Sequence, residues 1–133
     1  MEKESLERIN QLSEGTFFDY IGGRITQVHD CTAAGEVMLM PHHFNHLSIV
    51  HGGVYASVLD HVMGCAAYCA RPKANIVTTS LNIHYTAPIR SGTMKATGKV
   101  VHESRNMITA EGAIKNEEGE LMAMATASYR AKE

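Results

Sequence analysis

An apolar segment near the middle of the chain constrains the fold more than any other feature. Its small apolar side chains recur every four residues, at Val54, Val58, Val62 and Ala66. This spacing predicts a helix from about Gly52 to Ala70, which Arg71-Pro72 ends. Because the helix is apolar on nearly every side, it needs burial on most of them, and a sheet that curls around it provides that cover. We therefore expect an α+β domain.

The segments on either side of this helix predict strands. Alternating or β-branched residues mark four strands after the helix, at 75–88, 92–103, 106–116 and 120–130. Two earlier strands, 24–30 and 35–41, are expected to form a hairpin around Ala33–Gly35. Residues 2–13 predict an N-terminal helix. Short turns between the last four strands exclude a parallel crossover there. A single curved sheet leaves its edges uncovered, so a partner chain is expected.

Length and charge limit the class of protein. At 133 residues the chain is expected to form one domain over 1–133. Its net charge of −2 gives no general attraction to nucleic acid or to an anionic membrane, and no apolar run reaches the roughly 20 residues that span a bilayer. The N-terminus is charged and has no apolar h-region, so a secretory signal is not expected, and the three cysteines show no disulfide spacing. A cytoplasmic protein is expected, with neither nucleic acid nor membrane as a partner.

The segment His51-Gly52-Gly53 lies where the helix begins. The first N–H groups of a helix have no partner within it and carry the positive end of its dipole. Without a Cβ at Gly52 or Gly53, an oxygen atom of a ligand can approach these N–H groups closely. This arrangement suits an oxyanion hole for a carbonyl under attack. The alternative is that the glycines only allow a tight loop to enter the helix.

Asp60 is a charged residue inside the apolar helix. None of its neighbours three or four positions along the helix is basic, so no helical ion pair explains it. Two of them, Ala56 and Gly64, leave room beside the carboxylate. A carboxylate in such a place is a candidate general base or nucleophile. The alternative is an aspartate on a narrow solvated stripe.

The distance between Gly52 and Asp60 indicates where such a site would form. Eight residues correspond to about 12 Å along a helix, so one helix does not easily bring both groups to the same carbonyl carbon. Two antiparallel copies of the chain could place Gly52 of one opposite Asp60 of the other. The hypothesis is therefore a homodimer with two active sites at its two-fold interface.

Three segments show a pattern beyond these single residues: NHLSIVHGGVYASVLDHVMGCAAY, VTTSLNIHYTAPIRSGT and NEEGELMAMATASY. They resemble the PaaI-type acyl-CoA thioesterases of the hotdog-fold superfamily over about Phe17–Tyr129, and the spacing Asn-x5-His-Gly-Gly-x6-Asp is fairly specific. The resemblance implies a long helix wrapped by a curved antiparallel sheet. It also implies dimers that join their sheets edge to edge and commonly pair into homotetramers.

The resemblance further implies roles for particular residues. Asn45 and the Gly52 N–H would polarise the thioester carbonyl. Asp60 of the neighbouring subunit would activate water or attack directly. Thr78 would help to orient the water, and His51 would position its neighbours near the leaving sulfur.

The expected activity is the hydrolysis of acyl-CoA to free acid and CoA, with CoA as part of the substrate and no other cofactor. The resemblance places Arg105 where a basic residue would bind the CoA phosphates, and Arg90 is a weaker candidate. His42 and His46 form an i, i+4 pair, but a catalytic zinc site needs a third ligand, and thioester hydrolysis requires no metal. Two alternatives stay open. One is a hotdog-fold enoyl-thioester hydratase or dehydratase, and the other is a protein that binds acyl-CoA without catalysis.

Overall fold

The structure is a computed structural model that describes the backbone of residues 3–133 and the side chains of residues 6–133. Within these residues, the helices are α1 (Lys3–Leu12), α2 (Phe17–Tyr20) and α3 (Gly52–Ala70), and a short 3₁₀ helix spans Pro41–His43. The strands are β1 (Gly23–His29), β2 (Thr32–Met38), β3 (Asn75–Tyr85), β4 (Thr93–Glu103), β5 (Met107–Lys115) and β6 (Leu121–Lys132). The predicted helix 2–13 corresponds to α1, and Glu2 lies outside the described residues. None of the helices described is long and apolar enough to cross a membrane.

α3 packs against an antiparallel sheet in which the strand order is β1-β2-β4-β5-β6-β3. It contacts all six strands, so the predicted α+β class and the predicted helix Gly52–Ala70 are both confirmed. Val58, Val62 and Met63 have no exposed surface, and each contributes about 1.5–3 kcal/mol by burial. The helix approaches the sheet closely, because a Cβ on Gly98 would lie only 3.0 Å from the Met63 Cα.

The sequence predicts the turn of the first hairpin at Ala33–Gly35, and this prediction is wrong. β1 and β2 are joined by Asp30 and Cys31, which both adopt positive φ angles (48° and 59°). A two-residue turn of this kind matches the twist of antiparallel strands. Ala33–Gly35 lies within β2 instead. The glycine there is required for packing rather than for a turn, because a Cβ on it would lie 2.9 Å from Val62 Cγ2.

The sequence also predicts a short turn between β3 and β4, which would make these two strands neighbours. The structure does not have this pairing. β3 does not form a hairpin with β4 but lies at the edge of the sheet and pairs with β6. The connection between β3 and β4 crosses the beginning of α3. There the Val50 N–H donates to the Ile89 carbonyl (2.9 Å). The Tyr55 hydroxyl donates to the Ala87 carbonyl (3.0 Å). These bonds hold the connection across the helix, so it does not close into a tight turn.

The two edges of the sheet are covered differently. α1 docks on β1 through Asn10, whose side chain donates to the Ile25 carbonyl (2.8 Å) and accepts from the Ile25 N–H (3.0 Å). β3, at the other edge, pairs with a strand on one side only. Its side chains are largely exposed, including Val77 (59%) and Tyr85 (52%). The β3 edge is therefore a surface to which another chain can add strands.

Candidate active site

Asp60 lies in the middle of α3, half-buried, with its carboxylate held by two hydroxyl groups. Its Oδ1 accepts hydrogen bonds from Thr78 Oγ1 (2.8 Å) and Tyr129 Oη (3.1 Å). Among the described residues Asp60 forms no salt bridge, so hydroxyl donors alone stabilise its charge there. Oδ2 accepts no hydrogen bond from any described residue and is free to take a proton.

Thr78 contacts the carboxylate itself and is exposed on the edge strand β3. A hydroxyl that donates to Oδ1 still has lone pairs, with which it can accept a hydrogen bond from water. The structure thus brings Thr78 and Asp60 together, and the role of Thr78 in orienting water stays a prediction.

A cavity of about 320 Å³ opens beside the Asp60 carboxylate. Besides Asp60 and Thr78, its walls include the apolar or weakly polar side chains of Ile9, Leu12, Cys65, Tyr68 and Ile76. Burial raises the pKa of Cys65 to about 12, so this thiol stays protonated at neutral pH and is not a nucleophile. The cavity therefore presents a carboxylate at the side of a mainly apolar surface.

His61 also lines this cavity, and sequence reasoning misses it although it directly follows Asp60. Its ring stacks on Phe18, with centroids 3.7 Å apart and planes inclined by 9°. Its Nε2 is enclosed and has no hydrogen-bond partner among the described residues. Burial lowers the pKa of His61, and the neighbouring Asp60 carboxylate raises it by less. The His61 side chain is therefore neutral at pH 7 and forms part of the wall of the cavity.

We expect the protein to lose stability below about pH 6.5 because of His61. Its unfolded-state pKa is about 6.5 and its folded-state pKa is lower, so the unfolded state binds more protons as the pH falls. A His61→Phe variant keeps a ring against Phe18 but cannot titrate. From about pH 7 to about pH 5, the melting temperature of the natural protein should drop a few degrees more than that of the variant. Equal drops in the two proteins would contradict this expectation.

The beginning of α3 is arranged around His51, Gly52 and Gly53. His51 caps the helix, because its Nδ1 accepts a hydrogen bond from the Gly53 N–H (2.8 Å). A Cβ on Gly53 would lie 3.0 Å from that nitrogen, so glycine makes room for the cap. The Gly52 N–H makes no hydrogen bond to a described residue and is free for a ligand oxygen. The predicted role of His51 near the leaving sulfur stays a prediction.

Asn45 and Gly52 line one groove, of about 350 Å³, together with Tyr85. The Tyr85 hydroxyl donates to the Gly52 carbonyl (2.9 Å). Asn45 Oδ1 accepts hydrogen bonds from the N–H groups of Leu47 (2.9 Å) and Ile49 (3.4 Å), which orders the loop before the helix. The Asn45 NH₂ group donates to no described residue. The structure thus brings together the two predicted donors to a carbonyl oxygen.

The groove at Gly52 and the cavity at Asp60 share no lining residue. One chain therefore presents the predicted oxyanion donors and the predicted base in two separate places. The edge strand β3 contacts both, since Thr78 bonds to Asp60 and Tyr85 bonds to Gly52.

Arg90 and Arg105, the predicted CoA-binding residues, lie at opposite ends of α3. Arg90 follows Ile89, which is bonded to the segment before the helix. Arg105 lies in the β4–β5 turn, where its carbonyl accepts a hydrogen bond from Arg71 at the end of the helix (3.1 Å). Both side chains are exposed, and within the described chain neither forms a salt bridge. A single chain therefore does not bring the two arginines together.

Of the histidines at 42, 43 and 46, only His43 bonds to the backbone of described residues. His43 is buried, with Nδ1 accepting from the Met40 N–H (2.8 Å) and Nε2 donating to the Ile21 carbonyl (2.6 Å). His42 and His46 are exposed. The side chains of residues 6–133 contain no cluster of three or more histidine, cysteine or carboxylate groups that could hold a metal ion. That catalysis requires neither metal nor cofactor stays a prediction.

The chain matches the family model described as the thioesterase superfamily over residues 47–123, more than half of its length. It therefore belongs to the thioesterase superfamily, and its helix and curved sheet form the hotdog fold. Membership supports thioester hydrolysis as the general activity.

Individual relatives agree with this assignment. Acyl-coenzyme A thioesterase 13 of Homo sapiens is 26% identical, with 75% of this chain and 89% of that protein covered. A thioesterase from Haemophilus influenzae superposes with a TM-score of 0.89 at 20% identity, covering 95% of this chain and 89% of that one. A mutant of phenylacetic acid degradation protein PaaI from Thermus thermophilus superposes with a TM-score of 0.79 at 21% identity, covering 86% and 96%. At these identities, the two solved structures show the shared fold.

Proposed function

We propose that the protein hydrolyses acyl-CoA thioesters to a free acid and CoA. One observation carries the proposal: the Asp60 carboxylate, held by two hydroxyls, lies at the wall of a mainly apolar cavity. An apolar acyl group suits this cavity, and the carboxylate can then act on its carbonyl end. The similarity to acyl-coenzyme A thioesterase 13 supports CoA as the thiol.

We call the groove at Gly52 and the cavity at Asp60 the two half-sites. The chemistry follows from the groups that they contain. As a general base, Asp60 takes a proton from water while the water oxygen attacks the thioester carbon. The carbonyl oxygen becomes an oxyanion and accepts hydrogen bonds from the Gly52 N–H and the Asn45 NH₂ group. The C–S bond then breaks, and Asp60 returns its proton to the departing CoA thiolate. As a nucleophile, Asp60 would instead attack the thioester carbon, break the C–S bond and release CoA as a thiolate, leaving an anhydride that water hydrolyses to the free acid and the Asp60 carboxylate.

We infer that each active site is built by two chains. β3 is the open edge of the sheet, and it contacts one half-site through Thr78 and the other through Tyr85. In the proposed dimer, two β3 strands pair in antiparallel fashion about a point midway between Thr78 and Tyr85. This pairing brings the Thr78 end of one strand towards the Tyr85 end of the other. Asp60 of one chain then faces Gly52 of the partner subunit, twice per dimer. Pairing of two dimers into a homotetramer stays a prediction from the resemblance.

The same dimer accounts for the placement of the two arginines. Asp60 lies in the middle of α3 and Arg105 near its end, whereas Gly52 is at its beginning and Arg90 lies near that beginning. An antiparallel arrangement of two chains therefore brings Arg90 of one chain and the partner subunit's Arg105 to one site. We propose that these arginines bind the CoA phosphates there.

The proposed compartment is the cytoplasm. Cys31, Cys65 and Cys69 are free thiols, as expected in a reducing environment.

The cavity beside Asp60 indicates the size of the acyl group. Its volume of about 320 Å³ is near the lower end of the roughly 300–1,000 Å³ of ligand pockets. Ile9 and Leu12 of α1 form part of its wall. The resemblance to PaaI-type thioesterases implies aryl-acetyl or medium-chain acyl groups, and we propose these as substrates because a cavity of this size suits them.

Release of the free CoA thiol from a panel of thioesters tests this function. Phenylacetyl-CoA and octanoyl-CoA should be hydrolysed with a kcat/KM at least about tenfold above that for hexadecanoyl-CoA, because the added methylenes find no cavity. Binding of acyl-CoA without thiol release would instead favour a non-catalytic binding protein. Loss of enoyl-CoA absorbance without thiol release would favour a hydratase.

A further inference from the structure

Tyr129 contacts Asp60 through both its backbone and its side chain, from a strand position 69 residues away in the sequence. Its side chain is buried (2% exposed), and its hydroxyl lies 2.8 Å from the Asp60 backbone carbonyl and 3.1 Å from Oδ1. A phenol carries one proton, so these two oxygens share it in a three-centre bond. The hydroxyl therefore joins the side chain of Asp60 to its own backbone.

The Tyr129 ring lies beside a glycine on the helix. Gly64 lies one turn after Asp60, and a Cβ on it would be 3.6 Å from the Tyr129 ring. The room beside the carboxylate that the sequence indicates at Gly64 is thus filled by an aromatic ring. Packed in this way, the ring fixes where its hydroxyl lies relative to the helix.

The two carboxylate oxygens of Asp60 consequently differ. Oδ1 accepts from both Tyr129 and Thr78, while Oδ2 accepts from no described residue. A carboxylate oxygen with two donors has less electron density to offer a proton than a free one. The free oxygen is the more basic position of the pair.

We propose that Tyr129 is a positioning residue for the hydrolysis. Its hydroxyl holds Asp60 Oδ1 against the Asp60 backbone, so that Oδ2 is the oxygen that takes the proton from water. The inference rests on the proposed function, since it assigns the reacting oxygen of the same carboxylate.

Tyr129 does not itself exchange protons in this scheme. Burial raises its pKa, and the negative charge of Asp60 raises it further, so the phenol stays protonated. It remains a hydrogen-bond donor throughout the reaction.

A Tyr129→Phe variant removes the donor and keeps the ring. We expect kcat to fall about tenfold, because the carboxylate gains rotational freedom, and KM to stay within about twofold, because the cavity wall is unchanged. An unchanged kcat would overturn the proposal.

A second measurement separates this proposal from the function on which it rests. The crystal structure of Tyr129→Phe should show the Asp60 carboxylate rotated away from its natural position, whether or not thioesters are hydrolysed. Tyr55→Phe is the matched control, because Tyr55 is equally buried (2%) and its hydroxyl also bonds to backbone. It should lower the melting temperature similarly and leave the Asp60 carboxylate in its natural position. An unmoved Asp60 carboxylate in Tyr129→Phe overturns the positioning role, whereas absent thiol release in the natural protein overturns the function.

Discussion

Asp60→Asn is expected to lower kcat for acyl-CoA hydrolysis by about 100- to 10,000-fold, the range that a general base contributes. The amide has nearly the same size and can still accept hydrogen bonds from Thr78 and Tyr129 at the Oδ1 position. It cannot take a proton from water or attack a thioester carbon. The loss should therefore appear in kcat, with KM almost unchanged, when thiol release is followed.

Asp30→Asn is the matched control for this experiment. Asp30 is an exposed carboxylate in the β1–β2 turn with a positive φ angle, which asparagine tolerates well. This variant should turn over thioesters at the natural rate. If Asp60→Asn hydrolysed thioesters at the rate of the natural protein, the Asp60 carboxylate would have no role in the mechanism.

Mixing two inactive variants should restore activity if each site is shared. Gly52→Val places branched atoms near Tyr85, from which even a Cβ would be 3.3 Å away, and blocks the approach to the N–H. Asp60→Asn lacks the base. After subunit exchange, a hybrid dimer has one site with both defects and one with none. Random exchange makes half of the dimers hybrid, so the mixture should recover about a quarter of the natural activity.

The double variant Gly52→Val/Asp60→Asn provides the control for complementation. Exchange of its subunits with those of either single variant cannot create an intact site, so no activity should return. If the two single variants also fail to restore activity after proven exchange, Gly52 and Asp60 do not act across a dimer interface.

The helix and the strand content were predictable because they depend on local patterns. The four-residue spacing from Val54 to Ala66 marks α3 over its whole observed length, Gly52–Ala70. The pairing of β3 with β6 was not predictable, because an alternating pattern shows that a segment is a strand and not which strand lies beside it. The turn at Asp30 and Cys31 was missed because a glycine needed for packing looked like a turn residue.

The candidate site was predictable to the same extent. Gly52 and Asp60 are unusual residues for their place in the sequence, so they can be recognised there. Tyr129 and His61 are ordinary residues of a strand and a helix, and only folding places one on the carboxylate and the other beneath Phe18. A contact between positions 60 and 129 leaves no trace in a single sequence.

The two hydrogen bonds between Asn10 and the Ile25 backbone have a consequence for how copies of the chain assemble. A sheet with two bare edges can polymerise, because each added copy presents a fresh edge to the next. Here the N–H and carbonyl groups of Ile25 on the edge strand β1 are bonded to the chain's own N-terminal helix, whereas β3 at the other edge is open. If two β3 edges pair as in the proposed dimer, we expect growth through the sheet to stop at two copies, because α1 packs on the strand at the remaining edge.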